Sequence, residues 1–349
     1  DIAGCAVEAA GSGSILEIAG YRAATSDLVF AIAGTVGTLT STLLDFTTLG
    51  LTVGQFIHIG GLNTAEQFSA GAGYARVTAI AANTLTLDKL GSGLADDDGV
   101  GDTVDLLFGQ FIRNVPTTDA DFVEQPFQFE AQYPNLGNDV NAGDTGIEYA
   151  LGNFANQMDI NLPLTDKATV TFAFIGTDTE PPVFVAKTGS DTPRTAQKTT
   201  ALNTSSDIGR LRIKNVDESG LTTDFKELTL TLNNNASPEK VLGQLGARFI
   251  NTGNFEVDLE AQVLFTEADV ICAIRENRTL SFDCILINDN GAIAYDIPSM
   301  TLGGGDKEFP VNESILINLT GQAFRDPILG TSLSVSLFPA VPESDNDIC

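Results

Sequence analysis

Tryptophan is absent from the 349 residues, histidine occurs once and methionine twice. A Ser-His-Asp relay would have to use His58, and neither TSSDIGR nor NESILI forms a G-x-S-x-G nucleophile elbow. His58 itself sits in QFIHIGG, where the alternation places it on a solvent-facing side of a strand. The four cysteines, Cys5, Cys272, Cys284 and Cys349, lack C-x-x-C spacing, which argues against a zinc site or a redox pair. Cys272 and Cys284 read instead as small, reduced core residues. With five tyrosines and no tryptophan, platforms for a sugar ring are scarce, so a carboxylate pair for glycoside cleavage would have little to hold its substrate. No apolar run approaches the roughly 20 residues of a membrane span, and no membrane partner is expected. No catalytic residue, cofactor or metal-ligand set is expected either.

Positive charge is also short. Eighteen lysines and arginines face 46 acidic residues, a formal charge of −28, and the pI is near 4.1. Such a surface repels nucleic-acid backbones and anionic membranes, which disfavours conventional DNA or RNA recognition. A protein that must let DNA pass without sticking would need this sign. The first residue is Asp1 rather than Met, which suggests a processed or truncated chain.

What is abundant is turn chemistry. Thirty-four glycines, with many Thr, Asn and Asp, fit short strands joined by tight turns. Residues 28–108 read as about five short strands, including GQFIHIGG and YARVTAIAANTLTLDKL, and suggest a small Greek-key or SH3-like barrel, inserted or appended. The acidic loop LADDDGVGD follows, but Asp96, Asp97, Asp98 and Asp102 miss the calcium-loop spacing and lack its distal Glu, so it reads as a solvated loop. From Gln110 onward longer alternating segments, among them ELTLTLNNN, NFEVDLEAQVLF and LSFDCILIN, predict a two-layer sheet. The stretch from Pro181 to Thr204 breaks this rhythm as a long polar loop suited to a partner. MTLGGGDKEFPVNES reads as a flexible glycine-rich hairpin tip rather than a phosphate loop.

Two short helices are predicted. In NNNASPEKVLGQLGARFINTG, Ser237 is placed as the N-cap, Pro238 in the first turn and Glu239 at the positive end of the dipole. Val241, Leu242 and Leu245 then form an apolar face docked on the sheet. On this reading Leu242→Asp prevents folding. The second helix is TEADVICAIREN, with Thr266 and Asp269 as a capping-box-like start and Val270, Ile271 and Ile274 inward. Arg275 and Arg278 beside Glu276 form a surface charge cluster on it.

The segment from TDFKELTLTLNNN through NESILINL, together with NLPLTDKATVTFAFIGTDT, TSSDIGRLRI and FRDPILGTSLSVSLFP, resembles the tail tube proteins of long-tailed bacteriophages from about Asp105 to Phe338. GYRAATSDLVF and the barrel-like block look like the front of the same family. The resemblance implies a mainly β chain: a tail-tube β-sandwich with two short flanking helices in residues 1–27 and 109–342, a small β-barrel insert at 28–108 and an acidic tail at 343–349. It implies a virion protein, assembled in the host cytoplasm, whose six copies form stacking rings. Partners would be further copies, tail terminator, baseplate or tip and tape measure proteins, with DNA passing unbound. Pro181, Lys187, Arg194 and Gly303, Gly304, Gly305, Asp306 and Lys307 are candidates for loops between subunits or rings. The insert is expected to project outward and to be dispensable for ring formation. The runner-up is a β-rich surface or secreted adhesin binding carbohydrate or a host protein.

Overall fold

The computed structural model describes residues 9–10, 13–16, 20–120, 122–134, 145–184, 200–221, 224–266, 268–288, 291–309 and 314–339. The chain is mainly β and begins with β1 (Ala9–Ala10), β2 (Gly13–Leu16), β3 (Gly20–Arg22), β4 (Val29–Ala33), β5 (Val36–Thr40), β6 (Phe56–Ile59), β7 (Gly73–Ala81), β8 (Thr84–Asp88) and β9 (Asp105–Leu107). These nine strands make one sheet in the order β1-β2-β3-β9-β6-β7-β8-β5-β4. Tyr21 on β3 and Phe30 on β4, far apart in that order, enter one core with Leu39, Ile57, Val77 and Leu85, so the sheet is strongly curved. Its strand order still has two ends, so the expected barrel is not closed by strand pairing among the described residues. Because Gly20–Arg22 pairs with Asp105–Leu107, the boundary expected at residue 28 falls inside this sheet's own run of strands. The acidic loop belongs here too. Asp97 accepts from the amides of Gly99 and Ala70, Asp98 from Val100, Asp96 from Ile32 and Asp102 from Ser69, so these carboxylates staple loop backbone.

The second sheet comprises β10 (Gln110–Arg113), β11 (Phe127–Tyr133), β12 (Gly146–Leu162), β13 (Thr169–Ile175), β14 (Asp178–Thr179), β15 (Ile208–Asn215), β16 (Phe225–Asn233), β19 (Glu256–Leu264), β20 (Leu280–Asn288), β21 (Gly291–Glu308), β22 (Leu316–Ala323) and β23 (Ser334–Phe338). A separate hairpin is made by β17 (Ser237–Lys240) and β18 (Ala247–Asn251), and the single α-helix among the described residues is α1 (Asp269–Glu276). The long strand β21 turns the sheet into a sandwich. Its first half pairs with β20 on one side and β23 on the other, and its second half pairs with β22. One layer is therefore β15-β20-β21-β23-β10 and the other β21-β22-β19-β16-β12-β13. Alternate residues of both layers, Phe282, Leu286, Ile297, Leu228, Leu230, Leu259 and Ile317 among them, fill the core between.

Strand β20 is covered on both faces, which explains its unbroken burial from Leu280 to Ile287. Cys284 faces the sandwich core, where burial, with Asp283 adding, pushes its thiol pKa up and keeps it protonated and inert. Ile285 and Ile287, with Ala292 and Ala294 of β21, face the first sheet and meet Phe56, Tyr74 and Leu107. Ion pairs share this junction. Lys89 Nζ lies 2.8 Å from Asp296 Oδ1 and 3.3 Å from Asp283 Oδ1. Arg76 bridges Asp296 at 2.7 Å and Asp88 at 2.6 Å. Arg210 donates to the carbonyl of Lys89 at 2.8 Å and sits 5.7 Å from the centre of the Phe56 ring. Its Nε is 2.5 Å from Asp283 Oδ2 but off the hydrogen-bond direction, so charge rather than a directed bond joins them. Arg212 pairs with Asp283 and Glu218, each at 3.0 Å. Burial alone would lower the Arg76 pKa, but Asp296 and Asp88 raise it well above its ordinary value, so it stays charged.

Several expectations are corrected. Residues 237–251 are a hairpin, not a helix: Ser237–Lys240 pairs with Ala247–Asn251, and Gly243 between them adopts φ +88°. Only four residues lie between Pro238 and that break, too few to repay helix nucleation. Val241, Leu242 and Leu245 accordingly belong to none of the cores among the described residues and are exposed, Leu242 and Leu245 almost completely. The glycine-rich segment is not a hairpin tip either. Gly303 to Lys307 lie within β21, paired with β22 across a bulge, where Gly304 and Gly305 have φ of +77° and +89°. A Cβ on Gly305 would stand 3.2 Å from Ile274 Cδ1, so the missing side chain makes room for α1. Helix α1 forms as predicted, but its N-cap is Ala268 with no side-chain cap, and Asn277 ends it in the left-handed conformation. Val270 is buried on it, whereas Cys272 is exposed rather than in the core. His58 is fully buried, its Nδ1 2.8 Å from the Gly60 carbonyl oxygen and its ring edge-on to Tyr74.

Removing one member of a desolvated ion-pair network leaves the others unpaired, so Asp296→Ala is expected to cost about 3–5 kcal/mol in urea denaturation. The same experiment on Leu242→Asp should show a change of at most about 0.5 kcal/mol, because the side chain is already in solvent. Gly305→Val should be destabilising by about 1–3 kcal/mol, through the positive φ and the contact with Ile274.

Candidate channel-lining and edge surfaces

Alternation in β12, β16, β19 and β22 sends leucine, isoleucine and valine inward and leaves short polar residues on the opposite face. Strand pairing sets these into rows. One runs Thr169, Asn161, Thr229, Glu260, Thr320, Gly303. The next runs Thr171, Asp159, Thr231, Asp258, Gln322, Thr301, and a third begins Ala173, Gln157, Asn233, Glu256. The rows carry four carboxylates and neither lysine nor arginine. Thr231 Oγ1 donates to Asp159 Oδ1 at 2.9 Å, and Gln157 Nε2 donates to both oxygens of Asp159 at 2.9 and 3.0 Å. Partial desolvation, with Glu256 and Glu260 on either side along β19, raises the pKa of Asp258. A surface of this kind repels phosphate and offers no cationic donor to hold it.

This layer has two edges without a strand partner among the described residues. Strand β13 pairs with β12 alone, and the second half of β21 pairs with β22 alone. Val170, Phe172 and Phe174 lie across from Ile160, Met158 and Ala155. They are thus on the core side of the sheet yet remain 46%, 55% and 39% exposed, because the opposite layer does not reach them. Phe129 from β11 packs edge-on to Phe174 with ring centres 4.7 Å apart, and Phe127 stands 6.1 Å from the same ring. An open edge beside an apolar patch favours a further chain over solvent.

The residues singled out from sequence are scattered over these surfaces. Gly303 to Lys307 lie on the β21 edge strand, with Lys307 Nζ 4.5 Å above the Phe265 ring. Pro181 is exposed just before the bridge between Val183 and Ile147, while Lys187 and Arg194 lie outside the described residues. Sequence reasoning missed the phenylalanine edge and the junction charges. Signals for both existed: three hydrophobic residues at alternate positions in TVTFAFI, and Asp283 interrupting an otherwise apolar FDCILI.

The raised pKa of Asp258 fixes a sign. Its folded value exceeds its unfolded one, so the ionised carboxylate costs stability at neutral pH, and that cost disappears as pH falls through the carboxylate range. Asp258→Asn should therefore raise Tm at pH 7, with the gain over the parent vanishing in acid. Thermal melts between pH 3 and 7 test this, and a pH-independent difference would assign the effect to packing.

No curated protein matches the chain. A family model described as phage tail tube protein matches residues 23–323, a span that runs from the end of β3 to the end of β22 and takes in most of both the curved sheet and the sandwich. With that match over most of its length, the chain belongs to the phage tail tube protein family and is a structural component of the virion tail.

Proposed function

We propose that the β13 edge of one copy pairs with the β21 edge of the next until six copies close a ring, and that rings stack into the tube through which the genome leaves. The observation that carries this reading is the cation-free acidic face on a layer with two open edges. Head-to-tail contacts between two different edges close into a ring when the rotation between copies permits. Pairing there satisfies main-chain groups that an isolated chain exposes as an aggregation hazard. It also covers Val170, Phe172 and Phe174, which gives the association an apolar component.

On this arrangement Asp159, Asp258 and Glu260 line the channel and keep DNA from adhering as it moves. The curved first sheet lies on the outside, attached through the buried ion pairs. Pro181, Lys187 and Arg194 fall on loops available to neighbouring copies. Tail terminator, tape measure and baseplate or tip proteins complete the set of partners, and assembly takes place in the host cytoplasm. Among the described residues no helix is long and apolar enough to cross a membrane.

Electron microscopy of the purified chain at high concentration should show hollow tubes with six-fold end views. Phe172→Lys, altering a side chain that is exposed in the single chain, should retain the parental Tm and lose rings and tubes together. Normal tubes from that variant would remove β13 from the ring contact. Charge reversal at Asp159 and Glu260 to lysine should leave tubes intact while slowing DNA release from reconstituted particles, and unchanged release would place this face elsewhere.

A further inference from the structure

The hairpin β17–β18 carries the most exposed leucines of the described chain, and its tip has no internal use. Leu242 and Leu245 are 104% and 91% exposed, and Val241 and Phe249 beside them are also open to solvent. The tip is held in place rather than adrift. Ala247 N donates to the Thr177 carbonyl at 2.7 Å, a Cβ on Gly246 would meet that same oxygen, and Asn234 Nδ2 anchors the base on the Ala155 carbonyl at 2.8 Å. In a chain of formal charge −28 the tip from Val241 to Leu245 carries no charge at all. It is a segment that can approach another acidic copy without repulsion.

A counterpart lies at the other end of the same strands. The hairpin leaves β16 after Asn233, where β12 is at Gln157. At the opposite end of this pair, beyond Leu162 and Leu228, opens a groove of about 100 Å³. Leu162, Leu164, Ile208, Leu211 and Phe225 supply its apolar lining, and the adjacent Lys226 and Glu227 place one charge of each sign there. Leu164 is 55% exposed there. Tip and groove therefore sit at opposite poles of one rigid β pair, and a second copy displaced along the strand direction brings the tip of one toward the groove of the other.

We infer that the β17–β18 hairpin is a stacking plug: its Leu242 and Leu245 tip docks into the Leu164 groove of a second copy in the adjacent ring. This rests on the ring-stacking reading above and specifies its contact. The surfaces are different at the two poles, so the contact is head-to-tail and open-ended, as a tube that lengthens ring by ring requires. Burial of the leucines provides the driving force.

The test uses the full chain with Leu242→Asp and Leu245→Asp together, and separately with Leu164→Asp, viewed by electron microscopy beside the parent after melting curves confirm parental stability. Each variant alone should form single rings and lose tubes. An equimolar mixture of preformed rings should give stacks of two and no longer, because only the intact tip of the Leu164→Asp ring can enter the intact groove of the other. Tubes of parental length from either variant, longer stacks from the mixture, or no stacks of two would overturn the plug while leaving the ring reading standing. Absence of rings in the hairpin variant, with rings in the parent, would assign the hairpin to lateral contacts and equally overturn it. Absence of rings and tubes in the parent would instead defeat the ring-stacking reading itself.

Discussion

The desolvated charge network between the two sheets is the constraint on which the rest of the molecule depends. Arg76, Lys89, Arg210 and Arg212 are matched there by Asp88, Asp283, Asp296 and Glu218. Charges taken out of water must find partners, and the ion pairs of the buried Lys89 and Asp296 all cross from one sheet to the other. Such a network adds little net stability compared with apolar packing, but it penalises every misaligned arrangement of its members. It therefore fixes how β7 and β8 sit on β20 and β21, and through β21 it reaches the layer that carries the acidic face. A first sheet that could be excised without consequence is incompatible with this, since excision would leave Asp283 and Asp296 facing water beside apolar neighbours that Phe56 and Tyr74 now cover.

The same network shapes the surface. The chain has only 18 basic residues, and four of them are committed to the junction. Four carboxylates are committed with them, so 14 basic and 42 acidic residues remain outside and the formal −28 lies entirely beyond the network, and the β12-β16-β19-β22 face carries carboxylates without a cation in its rows. Like-charged copies repel at a distance, so association must come from uncharged, apolar or main-chain contacts. The structure offers these at the open strand edges, the phenylalanine patch and the hairpin tip. Charge and adhesion are thus separated in space, as the proposed channel would require.

Alternation made the second half of the chain readable. Segments such as ELTLTLNNN and NFEVDLEAQVLF are strands in the structure, with the face toward the core as the pattern dictates. Helix α1 was legible too, from its apolar spacing, although its cap was not. Reading failed where local chemistry was ambiguous. Ser237-Pro238-Glu239 fits a helix start as well as a strand, and the decision belonged to Gly243 and to the pairing partner Ala247–Asn251 downstream. The glycines at 303–305 read as freedom in the sequence, whereas Gly303 and Gly304 lie close against Thr320 and Asn318 of β22 and Gly305 makes room for Ile274, contacts no local window contains. His58 and the junction charges were misplaced or missed because period-two patterning cannot tell a solvent face from one covered by another sheet. Of the candidate site, the sign of the charge was visible from composition, whereas its concentration on one face depended on strand register.

The central claim is that this acidic face lines the channel. A helical reconstruction of tubes assembled from the full chain tests it most directly. The account predicts Asp159, Asp258 and Glu260 around the lumen, β13 of each copy beside β21 of the next, and the first sheet outermost. A lumen lined by the first sheet, or these carboxylates on the outer wall, would contradict it.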